Sequence, residues 1–168
     1  GETGAGRVLH YDGASWNVVL ESTTPLYSVW EVSATEVYAI GSGIVYSFDG
    51  SQWIKEYWSV QRGLWARGPD DVYAIGNLGI YHFDGTAWRF LDPPQPSVVS
   101  TRPLTGLWGC GEDIYAVGPY YNVLHYDGSS WETIESPSDR LGAIWGSGLD
   151  EIILAGKYGD IIRYRKPE

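Results

Sequence analysis

His125-Tyr126-Asp127-Gly128-Ser129-Ser130-Trp131 is one of four copies of a single motif. The others are His10-Tyr11-Asp12-Gly13-Ala14-Ser15-Trp16, Ser47-Phe48-Asp49-Gly50-Ser51-Gln52-Trp53 and His82-Phe83-Asp84-Gly85-Thr86-Ala87-Trp88. Each carries an aromatic residue, then Asp-Gly, then Trp three residues after the glycine. Apolar runs flank the motif, so it reads as a β-hairpin turn. Glycine takes the positive φ that other residues resist, and Asp bonds its own backbone. Four copies mean a repeat protein. They define an architecture without naming a ligand or a reaction.

A second landmark recurs between the turns. It reads Val29-Trp30 then Val37-Tyr38-Ala39-Ile40-Gly41, and Leu64-Trp65 then Val72-Tyr73-Ala74-Ile75-Gly76. It continues as Leu107-Trp108 then Ile114-Tyr115-Ala116-Val117-Gly118, and Ile144-Trp145 then Ile152-Ile153-Leu154-Ala155-Gly156. The landmark tryptophans are 35, 43 and 37 residues apart. One four-stranded propeller blade takes about 40 residues. The predicted fold is therefore an all-β propeller of about four four-stranded blades.

Within a blade, strand A carries the landmark Trp and strand B is the Val-Tyr-Ala-Ile-Gly run. Strand C leads into the Asp-Gly turn, and strand D starts at the turn Trp. Counted this way, the chain offers seventeen strands, one more than four blades hold. The N-terminus supplies only C and D, Arg7 to Tyr11 and Trp16 to Leu20. The C-terminus supplies only A, B and C, and Arg165-Lys166 stands where Asp-Gly belongs. Open strand edges are a liability that rings avoid. The expectation is thus a blade completed by both termini, with Trp16 to Leu20 added to the blade of Leu141 to Tyr164. Arg7 to Tyr11 is then displaced or adds a fifth strand. The rival is a two-chain ring of about eight blades.

Composition narrows the function. The 168 residues suffice for one domain burying roughly 70% of its unfolded surface. Residues 1–6, beginning Gly1-Glu2-Thr3-Gly4, read as a remnant of expression or a disordered N-terminus, and 7–168 as one propeller domain. The chain is read as an excerpt or a mature form. The net charge is −10, with 11 Lys and Arg against 21 Asp and Glu. That balance argues against nucleic acid and anionic membranes, which need clustered cations. No apolar run is long enough to insert in a bilayer. One cysteine, Cys110, excludes an internal disulfide.

The turn motif resembles the Asp-box (BNR) repeat of β-propellers, although Asp here directly precedes its glycine. The Trp, Val-Tyr-Ala-Val-Gly and His-Tyr-Asp-Gly landmarks also resemble repeats of bacterial surface and secreted proteins. The resemblance spans about residues 7 to 166. It implies an extracellular or cell-surface location. Sialidases carry Asp boxes, but this chain is short for their six blades and lacks a counterpart of their arginine triad with its Tyr and Glu. Nor is a Ser-His-Asp set, zinc motif or phosphate loop visible. The expectation is a chain without catalysis, cofactor or metal.

Candidate residues divide by periodicity. Tryptophans needed once per blade read as packing, and each turn Asp reads as a cap, far short of a calcium site. His10, His82 and His125 occupy one repeat position, so they point apart and cannot converge on a metal. Residues that break the repeat are the better site candidates. The B–C and D–A loops share one face, which collects Tyr27, Tyr57, Trp58, Tyr120, Tyr121 and Tyr158. Acids collect on the opposite face. The expected function is a binding module recognising a glycan or protein through the aromatic face. The alternative is an assembly module whose termini pair with another chain, giving a homodimer through strand pairing.

Overall fold

The computed structural model describes residues 5–58, 60–76, 79–91, 104–119, 123–138 and 140–165. Among them the chain forms seventeen strands in five antiparallel sheets. The first sheet holds β1 (Gly6–Tyr11) and β2 (Trp16–Ser22). The second holds β3 (Leu26–Ser33), β4 (Glu36–Gly41), β5 (Ile44–Phe48) and β6 (Trp53–Tyr57). The third holds β7 (Val60–Gly68), β8 (Asp71–Gly76), β9 (Ile80–Phe83) and β10 (Trp88–Leu91). The fourth holds β11 (Gly106–Cys110), β12 (Asp113–Val117), β13 (Val123–Tyr126) and β14 (Trp131–Ile134). The fifth holds β15 (Leu141–Gly148), β16 (Glu151–Gly156) and β17 (Ile161–Tyr164).

Three complete blades thus stand between a two-stranded and a three-stranded sheet. The all-β propeller expectation holds. The completed blade does not. β2 pairs with β1 from Gly6↔Ser22 to Tyr11↔Trp16, and β17 pairs only with β16. The Asp12 turn gives β2 its partner in β1, and the other edge of β2 meets no strand among the described residues.

The turn chemistry is the same in each copy. Asp127 Oδ1 accepts the amide hydrogens of Ser129 and Ser130 at 2.8 Å, while Gly128 sits at φ 92. Asp12, Asp49 and Asp84 accept the corresponding pairs at 2.8 to 3.0 Å. These bonds hold the carboxylates charged: the pKa values of Asp12 and Asp49 are lowered to about 2, and Asp84 and Asp127 lie lower still.

The core lies between blades. Ala39, Ala74 and Ala116, central in their B strands, are completely buried, since a larger side chain has no room where blades approach. One cluster joins Tyr38, Ile40 and Val45 of the second sheet to Leu64, Val72 and Ala74 of the third. The next joins Tyr73, Ile75 and Ile80 to Leu107, Ile114 and Leu124. In the last sheet the equivalent position is Leu154, also buried, whereas Ala155, at the position of Ile40, Ile75 and Val117, is exposed because no blade follows it.

Candidate functional site

The Trp58 amide donates to the Gly43 carbonyl at 3.1 Å, joining the D–A loop after β6 to the B–C loop before β5. Tyr57 and Tyr158 are 74% and 87% exposed, and Tyr27 is exposed at the start of β3. Lys55 Nζ lies 5.0 Å from the Tyr57 ring, and the Arg140 guanidinium 5.8 Å from that of Tyr158. Tyr158 adopts φ 65 in the turn between β16 and β17. Trp58 is half-buried, packed 6.1 Å from Trp88 in the cluster between the second and third sheets. Tyr120 and Tyr121 lie outside the described residues. Among the described residues, no ring contact joins Tyr27, Tyr57, Trp58 and Tyr158 to one another.

On the opposite face several acids are paired. Asp71 binds Arg67 and His82, the latter at 2.6 Å. Asp113 binds His125, whose Nδ1 meets Glu132 at 2.7 Å, and Arg163 binds Glu151 at 2.5 Å. The Asp71–His82, Asp113–His125 and Glu151–Arg163 pairs each join the first residue of a B strand to the histidine position of the adjacent C strand. His82 and His125 also stack on Tyr73 and Tyr115 at 4.4 and 4.5 Å. Repeat arithmetic could have found these pairs, because Asp71, Asp113 and Glu151 are equivalent positions. Three acids of this face are thus held in ion pairs within blades, and Arg67 also reaches Glu112 of the next blade, while burial and the charge of Asp70 raise the pKa of Glu36. Among the described residues no three His, Cys, Asp or Glu side chains converge on a metal position.

The largest change from expectation is at the ends of the arc. Trp16 and Trp145 are 68% and 61% exposed, whereas Trp65 and Trp108 are buried. Periodicity alone makes all of them core. Between the first sheet and β3 lies a cavity of about 640 Å³, lined by Val8, Leu9, Val29, Val37, Phe48 and Trp53 among others. Its size is within the range of ligand sites. It occupies the place where strands A and B of the first blade would stand. β1 forms one wall; among the described residues it pairs only with β2 and its other edge is free, whereas β5, β9 and β13 pair on both sides. A free edge beside apolar side chains can accept an extended strand. The signal was in the chain: the odd strand count implied an incomplete blade.

No helix among the described residues is long and apolar enough to cross a membrane. No family model matches the chain, and no curated protein matches it. Solved structures do. The WD40 β-propeller domain of Doa1 matches with a TM-score of 0.66 at 13% identity, over 90% of this chain and 55% of that one. Streptogramin B lyase matches with a TM-score of 0.61 at 15% identity, over 84% of this chain and 55% of that one. The computationally designed protein Ika4 matches with a TM-score of 0.62 at 12% identity, over 84% of this chain and 89% of that one. The chain therefore spans about half the length of the first two. One expectation is corrected by them: a lyase shares this architecture, so the exclusion of catalysis from missing motifs does not stand. At these identities the likeness is one of fold, and the fold of this chain is that of β-propeller repeats.

Proposed function

We propose that the chain is a polypeptide-binding propeller module that takes strands of a protein partner into the cleft between β1 and β3. We place it outside the cell, where its resemblance to surface and secreted repeat proteins puts it. The observation that carries the reading is the free β1 edge lining an apolar cavity of about 640 Å³. Main-chain hydrogen bonds to a strand edge supply affinity, and alternate side-chain pockets supply selectivity. Here Val29, Val37 and Trp53 form the apolar wall that every second residue of a bound strand would meet.

The test is a panel of ten-residue peptides alternating Val or Ile with Thr or Lys, titrated into low-micromolar protein. Saturable binding that protects the β1 amides from hydrogen exchange, and is lost in Val29→Asp, is the expected result. A panel in which no peptide protects β1 of single chains contradicts the reading.

A second reading concerns the loop face. The exposure of Tyr57 and Tyr158 suits stacking on sugar faces or protein anchoring. A glycan array probed with the chain and with Tyr57→Ala and Tyr158→Ala variants tests it. Signal that survives both substitutions would reject these tyrosines as the site.

A further inference from the structure

Each repeat tryptophan is covered wherever a blade stands on its side. Strand-A tryptophans lean on the next blade, at the residue that follows its own landmark Trp. Trp30 Nε1 donates to the Ala66 carbonyl at 3.0 Å. A Cβ added to Gly109 would lie 2.9 Å from Trp65, and one added to Gly146 would lie 2.7 Å from Trp108. Trp145 offers the same indole with no blade beyond it. Strand-D tryptophans face the preceding blade: Trp53 packs with Val8 and Leu20, and Trp131 in the cluster of Ile75 and Ile80. Trp16 has no preceding blade. The residue before each landmark Trp also faces backward, so Leu64 and Leu107 are buried while Val29 is 54% exposed.

The two ends are complementary. The first sheet has strands C and D and lacks A and B; the last has A and B and lacks D. We propose that the polypeptide entering the cleft is a second copy of this chain, bound head to tail, so that two chains form one ring. This inference rests on the cleft reading above. β15 and β16 of the second copy take the inner places of the first blade, beside β1 and β2. Trp145 of the second copy then lies over the Glu31 backbone, repeating the Trp30–Ala66 contact, and covers Val29. Trp16 turns against the blade that precedes β15 of the second copy. Both exposed tryptophans are buried by one junction.

Two further observations agree. His10 holds the position at which His82 and His125 meet a B-strand acid, and its own chain supplies no such strand. Glu151 of the second copy arrives there. β1 and β17 are both C strands, and only one fits. β1 is held by six residue pairs to β2 and by the Asp12 turn; β17 is held to β16 by four. β17 therefore gives way. Glu31, standing where other blades have Ala66, Gly109 or Gly146, must turn its carboxylate outward. Heterologous contacts of this kind close into rings when the rotation allows.

The experiment uses Trp145→Asp, which spoils the C-terminal end, and Val29→Asp, which spoils the receiving end. Circular dichroism verifies that each folds. Light scattering on the unmodified chain should give twice 18.6 kDa, and each variant alone 18.6 kDa. An equimolar mixture of the two should regain a two-chain species, because one junction pairs an intact Trp145 with an intact Val29. An unmodified chain that stays single, a dimer that persists in either variant, or a mixture that stays single overturns the inference. The peptide titration is repeated on Trp145→Asp, which keeps the cleft open. Peptide binding there, with the unmodified chain single, rejects the second copy and retains the polypeptide-binding reading. No peptide binding rejects that reading independently of the mass.

Discussion

The Trp108 indole lies so close to Gly146 that an added Cβ would come within 2.7 Å of its Cζ2 and 2.9 Å of the Glu151 carbonyl. This contact joins the fourth sheet to the fifth. Gly146→Ala is predicted to destabilise the chain by about 1–3 kcal/mol, because the rigid ring and backbone cannot yield without strain. Gly148→Ala, with nothing within 4 Å, is the control and should change stability by less than about 0.5 kcal/mol. Urea unfolding followed by circular dichroism measures both. Equal effects would remove the special role of Gly146.

Trp108 and Trp145 hold the same repeat position and should differ on truncation. Trp108→Ala empties a buried site and is predicted to cost about 3–5 kcal/mol. Trp145→Ala, measured on single chains at low concentration, should cost less than about 1 kcal/mol. A comparable loss at both positions would mean that the fifth sheet is already covered within one chain.

The four turn carboxylates predict acid sensitivity. Their folded-state pKa values lie below the unfolded value of 3.8, with Asp12 and Asp49 at about 2. A depressed pKa contributes stability that is fully present above about pH 4 and lost as pH falls through about 2. Stability measured from pH 5 to pH 2 should therefore decline, and Asp127→Asn should flatten the decline by retaining an accepting oxygen without a titrating group. An unchanged slope in Asp127→Asn would show that the turn does not carry this linkage.

Glu31 is the residue that fits the proposed junction least well. Glu31→Ala recreates the Ala66 situation and is predicted to raise the two-chain fraction at a given concentration. Sedimentation over a dilution series reads this directly. A fall in that fraction would mean that Glu31 contributes a contact of its own.

Much of the fold was legible because its chemistry is local and repeated. Asp-Gly before Trp specifies a hairpin from within a few residues, and Ala39 or Ala74 marks a blade interface by its size. The seventeen strands were therefore countable. Closure was not legible, since it depends on whether β17 reaches the first sheet, a pairing between opposite ends of the chain. Burial failed for Trp16 and Trp145 for the same reason: periodicity equates positions that only a neighbouring blade makes equivalent. The His82–Asp71 and His125–Asp113 pairs needed cross-strand register. The aromatic loop residues, which break the repeat, carry no register at all, and nothing in the sequence determines how near Tyr57 stands to Tyr158.

The account turns on the half-built first blade, and a cysteine pair tests it most directly. Leu9 and Val18 face each other across β1 and β2. In a Cys110→Ser background, Leu9→Cys with Val18→Cys should form an intrachain disulfide on mild oxidation, read by mass spectrometry of the protease digest. Failure of that pair to close, with Val18→Cys instead linking to a cysteine placed in β17, would mean that the termini complete one blade and that the arc is closed.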